Sequence, residues 1–253
     1  MDTLSIPRRY CGPPNSANGG YTCGTAATAL GGRDVEVKLR APPPLETPLT
    51  LEHDGDEVRL FAGETLIAVA RPAEQPIDIP DDAPPVLGYD EVVAAAADFD
   101  VDAYRDSHEY PTCYTCGPDR ADGDGLRIFS APTDRPDRWV WPWTPDPSLV
   151  DETGTIPVPV VWAALDCPSG QAWLQQDPDM GPVVLGTMAA RVDRVPTPGE
   201  HLVVSGWTGA AEGRKRPAWS AISDATGTVL ATSRTTWVVL DEAQRRAFRA
   251  HQP

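Results

Sequence analysis

One pattern of strands and turns occurs twice in this chain, and that repetition constrains its fold more than any other feature. From Asp34 to Pro72 the order is Val35–Arg40, a proline run at Pro42–Pro44, Leu49–Leu51, a turn at Asp54-Gly55, Val58–Phe61 and Leu66–Ala70. From Gly186 to Leu240 it is Met188–Val192, Val195–Pro198, His201–Ser205, Ala218–Ile222, a turn at Ala225–Gly227 and Val229–Leu240. Placing Leu49 on Leu202 also places Pro43 on Pro196, Leu39 on Val192 and Leu51 on Val204. Period-two alternation broken by Gly, Asp and Pro marks an antiparallel meander. Two such meanders predict two units of one architecture.

A helix candidate precedes each meander. Tyr21–Leu30 is rich in small residues and is closed by Gly31-Gly32, as helix C-termini often are. Val158–Leu174 contains Pro159, Pro168 and Gly170, so an interrupted helix is expected there. Both are apolar nearly all round, which calls for burial. The proline- and aspartate-rich stretch 73–112 reads as a linker carrying a short helix at Tyr89–Ala97. The expected organisation is an N-terminal half at 1–80, a linker with a short surface helix at 81–109, and a C-terminal half at 110–253. Leu126–Phe129 and Trp139–Trp143 are expected to open the second half as strands.

A formal charge of −16 disfavours nucleic acid as a partner, because a polyphosphate backbone needs a basic surface. The densest cationic run, Arg214-Lys215-Arg216, reads first as a solvated turn. No stretch is long and apolar enough to predict a membrane span, and the first 30 residues carry no signal-peptide pattern. The cytoplasm is the expected location. The five cysteines are too few and too unevenly placed for a disulfide scaffold.

A small helix followed by an antiparallel meander, twice in one chain, resembles the double-hotdog arrangement of the acyl-CoA thioesterase superfamily. Asn18-Gly19-Gly20 is similar to the His-Gly-Gly opening of hotdog thioesterases, and Leu39–Pro42 to the Leu-Arg-Pro strand that follows it. Ala164-Leu165-Asp166 resembles the helix segment with that family's catalytic acid. Cys113–Pro118 with Gly125-Leu126-Arg127 resembles the Cys-x-x-Cys-Gly-Pro…Gly-Leu-Arg lead-in of some members. The resemblance implies an α+β fold with two helix-wrapped antiparallel sheets. It also implies acyl-CoA or acyl-carrier thioesters as partners and no cofactor.

The halves depart from the family pattern in complementary ways. Family spacing puts the acid of the first half at Ala27 and the glycine opening of the second at Val158. One composite site, joining Asn18, Gly19 and Gly20 from one half to Asp166 from the other, is what the resemblance leaves. Its chemistry is thioester hydrolysis, with helix-start N–H groups polarising a carbonyl and a desolvated carboxylate acting as base or nucleophile. The plain alternatives are that Asn18 caps the helix and that Asp166 caps the segment after Pro168. A rival function is a non-catalytic hotdog protein that binds an acyl thioester or another apolar ligand. A hotdog hydratase is disfavoured by the lack of an Asp-x-x-x-Asn-Pro-x-His segment. Whether two chains pair into a homodimer stays open.

A serine hydrolase is disfavoured, since Ser169 lies outside any Gly-x-Ser-x-Gly elbow. Cys167 has no histidine partner in sequence and reads as a small buried residue. Three readings compete for Cys113 and Cys116: structural thiols in a tight turn, zinc, or a redox dithiol. Zinc needs four ligands and only His108 is near, so structural thiols without a metal ion are the first expectation.

Overall fold

The computed structural model describes residues 2–135 and 137–250. Its strands are β1 (Asp2–Leu4), β2 (Asp34–Leu39), β3 (Leu49–Asp54), β4 (Glu57–Ala62), β5 (Thr65–Pro72), β6 (Ala131–Pro132), β7 (Arg138–Trp143), β8 (Val183–Val192), β9 (Leu202–Thr208), β10 (Lys215–Asp224) and β11 (Val229–Val239). The helices are α1 (Gly19–Leu30), α2 (Tyr89–Ala96), α3 (Val101–Ser107), α4 (Val158–Gln176) and α5 (Glu242–Ala250). Every strand of both expected meanders forms. Leu126–Phe129 does not; it runs as an irregular segment ahead of β6.

The strands make one antiparallel sheet in the order β1-β3-β4-β5-β2-β8-β11-β10-β9-β7-β6. The expectation of two sheets is therefore corrected to one. Each meander ends in an edge strand with a free row of backbone N–H and C=O groups, and pairing β2 with β8 satisfies both rows at once. At that seam Glu36 stands opposite Ala189, flanked by Asp34–Arg191 and Lys38–Thr187. Glu36 and Ala189 are equivalent under the alignment of Leu49 on Leu202, so the two copies meet about a local two-fold. Strand order mirrors outward from there.

Helix α1 packs on β2–β5, α4 packs on β7–β11, and the helices pack on each other. Small residues permit this. A Cβ on Gly20 would lie 2.6 Å from the Trp162 carbonyl oxygen, and one on Gly24 would lie 2.6 Å from Pro159 Cα. Glycine at both positions lets the α4 backbone come this close. Sheet and helices enclose one core that includes Val37, Leu60, Leu165, Met188 and Ile222.

Helix α4 is continuous through Pro168, against the expected interruption. Hydroxyls from outside the helix bond the carbonyls on either side of Ala164, whose own helical partner the proline removes. Thr115 Oγ1 donates to the Ala163 carbonyl at 2.8 Å and Ser220 Oγ donates to that of Leu165 at 2.5 Å. Burial on both flanks then holds the helix together despite the missing N–H.

The 73–112 stretch carries two helices instead of one, and α2 is not merely superficial. Val92 is buried against Val140 of β7 and Val203 of β9. Arg138, also on β7, is buried; its guanidinium donates to the Pro84 carbonyl while Nε and Nη1 lack partners. Desolvation lowers its pKa to about 10. The Arg214–Arg216 run is occupied structurally: Arg214 pairs with Asp241 and Arg216 lies over the Trp173 ring.

Candidate functional site

Asn18 stands at the start of α1 and caps it, with Oδ1 accepting from the Tyr21 N–H at 2.8 Å. The plain reading of Asn18 as a cap is thus part of the structure. Its amide nitrogen is still free to point elsewhere, and it turns inward to Thr115 Oγ1 at 3.3 Å and to the sulfurs of Cys113 and Cys167, each at 3.9 Å. Gly20, two residues on, donates its N–H to Asp166 Oδ2 at 2.9 Å. The expected meeting of Asn18–Gly20 with Asp166 across the two helices takes place.

Asp166 lies in mid-α4 and is only 2% exposed. One carboxylate oxygen takes the Gly20 N–H; the other, Oδ1, has no hydrogen-bond partner. Burial raises its pKa to about 7, against the lowering effect of the Gly20 N–H. A carboxylate so placed has the proton affinity that general-base chemistry uses near neutrality. Gly19 sits beside it in the first turn, packed against Leu39 and Leu185. Ser169 does not touch the carboxylate. Its hydroxyl donates to the Asp166 backbone carbonyl and accepts from Thr235 and Trp237.

The Cys113–Cys116 turn is held from both sides. The Tyr114 N–H donates to the Cys11 carbonyl at 2.7 Å, and the Leu126 and Ile128 N–H groups donate to the carbonyls of Tyr114 and Thr115. The Gly-Leu-Arg run of the sequence is therefore the brace of the Cys-x-x-Cys turn. Gly117 closes the turn, its N–H bonding the Cys113 carbonyl; a Cβ there would fall 2.5 Å from that oxygen.

Sequence reasoning missed what this turn faces. Cys167, the neighbour of Asp166 on α4, brings its sulfur to 3.7 Å from that of Cys113, and the sulfurs of Cys113, Cys116 and Cys167 all lie within 4.8 Å of one another. His108 Nε2 is 3.3 Å from the Cys116 sulfur. Burial lowers the His108 pKa, keeping the ring neutral. The signal available in sequence was a third cysteine on a buried helix.

At the other end of α1 lies a cavity of about 320 Å³, lined by Ala27, Arg33, Val158, Trp162, Val192 and Arg194 among others. Ala27 and Val158 are the positions at which the resemblance expected an acid and a glycine opening. The Ala27–Val158 position is thus a hollow at whose edge Asp193 is paired with Arg33 and Arg191, whereas Asp166 beside Gly20 is closed in.

Two meanders, each with its helix, fused through a central strand pair define the double-hotdog fold. Solved structures of that class are similar to the chain over nearly its whole length. The tesB protein of Mycobacterium avium subs. paratuberculosis superposes with a TM-score of 0.61 at 12% identity, over 94% of this chain and 92% of that one. The acyl-CoA thioesterase II TesB2 of Mycobacterium marinum gives 0.56 at 15% identity, over 94% and 92%. The dehydratase domain of a mycocerosic acid synthase-like polyketide synthase gives 0.62 at 16% identity, over 94% and 90%. No sequence-family model matches the chain, and no curated protein sequence does. At these identities the likeness is one of fold. Among the described residues no helix is long and apolar enough to cross a membrane.

Proposed function

We propose that this protein hydrolyses an acyl thioester, carried by CoA or by a carrier protein, with Asp166 as general base or nucleophile. The reading rests on one contact, the Gly20 N–H held by Asp166 Oδ2 while Oδ1 stays unpaired. It joins a carboxylate to a helix start, the two components that the chemistry requires. The N–H groups of the first turn of α1, at Gly19 and Gly20, would take the thioester oxygen as charge develops on it, the Gly20 N–H leaving Asp166 Oδ2 as substrate enters. Asp166 would deprotonate water or attack the carbonyl carbon. Asn18 holds the helix start in place through its cap. Because Asp166 is closed in, substrate entry requires α1 and α4 to part at Gly20. The acyl-CoA thioesterase II among the similar structures supports the same substrate class.

Binding without turnover is the second reading, and a specific observation favours it. The open space lies at Ala27 and Val158, away from the carboxylate. An apolar ligand there would meet Trp162 and Val192, with Arg33 and Arg194 lining the same cavity. A panel of acyl-CoAs assayed with a thiol-trapping reagent separates the two. Turnover that disappears in Asp166→Asn supports the hydrolase. No turnover by the wild type, with tight acyl-CoA binding abolished by Ala27→Trp, supports the binding protein.

A further inference from the structure

We infer that Cys113, Cys116 and Cys167 form a three-thiolate zinc site that ties the Cys113–Cys116 turn to α4. Three kinds of geometry carry this. The first is the sulfur triangle. Zinc–sulfur bonds of about 2.3 Å at a tetrahedral angle place sulfurs about 3.8 Å apart, and the Cys113–Cys167 edge is 3.7 Å. The expectation of metal-free thiols weighed the Cys-x-x-Cys pair and His108, without Cys167. Fold packing supplies the third ligand.

The second is the turn. The Gly117 N–H bonds back to the Cys113 carbonyl at 2.9 Å, folding the turn so that the Cys113 and Cys116 sulfurs lie within 4.8 Å of each other. Gly117 is what allows the turn to close, as a side chain there would strike the Cys113 and Pro111 carbonyls.

The third is the surrounding shell. Asn18 directs its amide nitrogen at Cys113 and Cys167, Gln171 directs its own at Cys116 at 4.0 Å, and His108 Nε2 faces Cys116. His108 Nδ1 accepts from the Tyr110 N–H at 3.0 Å, so the proton of the neutral ring sits on Nε2. His108 therefore serves as a donor to sulfur rather than as a ligand, leaving the fourth position for water. Donors to the sulfurs orient thiolate ligands and spread their charge. Among the described residues no lysine or arginine hydrogen-bonds to the three cysteines or to the Asp166 side chain. Once ionised as ligands, three buried thiolates would have their charge largely offset by the divalent metal they hold. On binding, each thiol releases its proton to solvent as its Zn–S bond forms.

The site has a consequence for the neighbouring chemistry. Cys167 is bonded to Asp166, and Asn18 contacts two of the sulfurs while capping the helix that carries Gly20. The metal would hold α4 beside Asp166 through Cys167 and leave α1, which supplies no ligand, able to part from it at Gly20. This inference stands whether or not the protein turns over thioesters.

The test is metal content by elemental analysis of full-length protein, expressed with added zinc and purified without chelator. A three-thiolate site predicts about one zinc per chain, at least tenfold less in Cys167→Ser, and full content in Cys23→Ala, whose cysteine lies elsewhere on α1. Exchange of the wild type into cobalt should give the strong near-ultraviolet thiolate-to-cobalt absorption, a reading that does not depend on any variant folding. Zinc at less than about a tenth of an equivalent, together with cobalt-treated wild type lacking that absorption, would overturn the site. So would a folded Cys167→Ser protein that keeps its zinc.

Discussion

The backbone N–H of Gly20 donates to Asp166 Oδ2 at 2.9 Å, across 146 residues of sequence. That bond joins the helix of the first copy of the repeat to the helix of the second. It also shows why Gly20 is a glycine: a Cβ would lie 2.5 Å from Asp166 Cβ and 2.6 Å from the Trp162 carbonyl oxygen. Gly20→Ala is therefore expected to destabilise the protein by about 1–3 kcal/mol through overpacking against backbone. Thermal unfolding should move down by roughly 2–10 °C. An unchanged midpoint would mean that α1 and α4 separate more readily than described.

Asp166→Asn keeps the side chain's size and leaves an oxygen for the Gly20 N–H. It removes the base and the cost of a buried charge. Thioesterase activity should fall by about 100-fold or more, and the unfolding midpoint should hold or rise. Acyl-CoA hydrolysis at wild-type rate in this variant would exclude Asp166 from the reaction.

The cavity beside Ala27 gives a test of the binding reading. Ala27→Trp fills space next to Trp162, so an acyl ligand seated there should lose at least about tenfold in affinity, roughly 1.4 kcal/mol. Quenching of tryptophan fluorescence by acyl-CoA reads this in the wild type, and calorimetric titration reads it in the variant. Equal affinity in the two proteins would place the ligand elsewhere.

At the seam, Val37 and Met188 face each other and are fully buried. Val37→Ala should cost about 1–3 kcal/mol. Because β2 and β8 share one sheet and one core, unfolding should remain a single cooperative transition in scanning calorimetry. Two resolved transitions would show that the copies unfold separately.

Arg138 is buried with two of its guanidinium nitrogens unpaired. Replacing a poorly paired buried charge with an apolar side chain is often neutral or stabilising. Arg138→Leu is expected to leave the denaturant midpoint unchanged or raise it. A loss of more than about 2 kcal/mol would show that its single bond to the Pro84 carbonyl outweighs the desolvation.

Much of the fold is legible locally. Alternation along Val35–Arg40 or Ala218–Ile222 depends on neighbours two residues apart, so it survives in sequence without any knowledge of the partner strand. The same holds for Asp54-Gly55 as a turn, for the Gly31-Gly32 helix stop and for the offset that aligns Leu49 with Leu202. What the chain alone could not fix were relations between distant segments. Pro168 argued for a broken helix because propensity ignores Thr115 and Ser220, whose hydroxyls reach the neighbouring carbonyls. Two sheets became one because edge pairing between β2 and β8 is decided by backbone hydrogen bonds, which carry little residue signature. Cys167 joined Cys113 and Cys116 because helix packing sets direction as well as distance. Sequence therefore determined the strands of both meanders and their duplication. Tertiary structure alone decided that Asp166 is closed in against Gly20, that the space beside Ala27 is hollow and that three thiols converge near Asp166, since each depends on which surfaces are buried together.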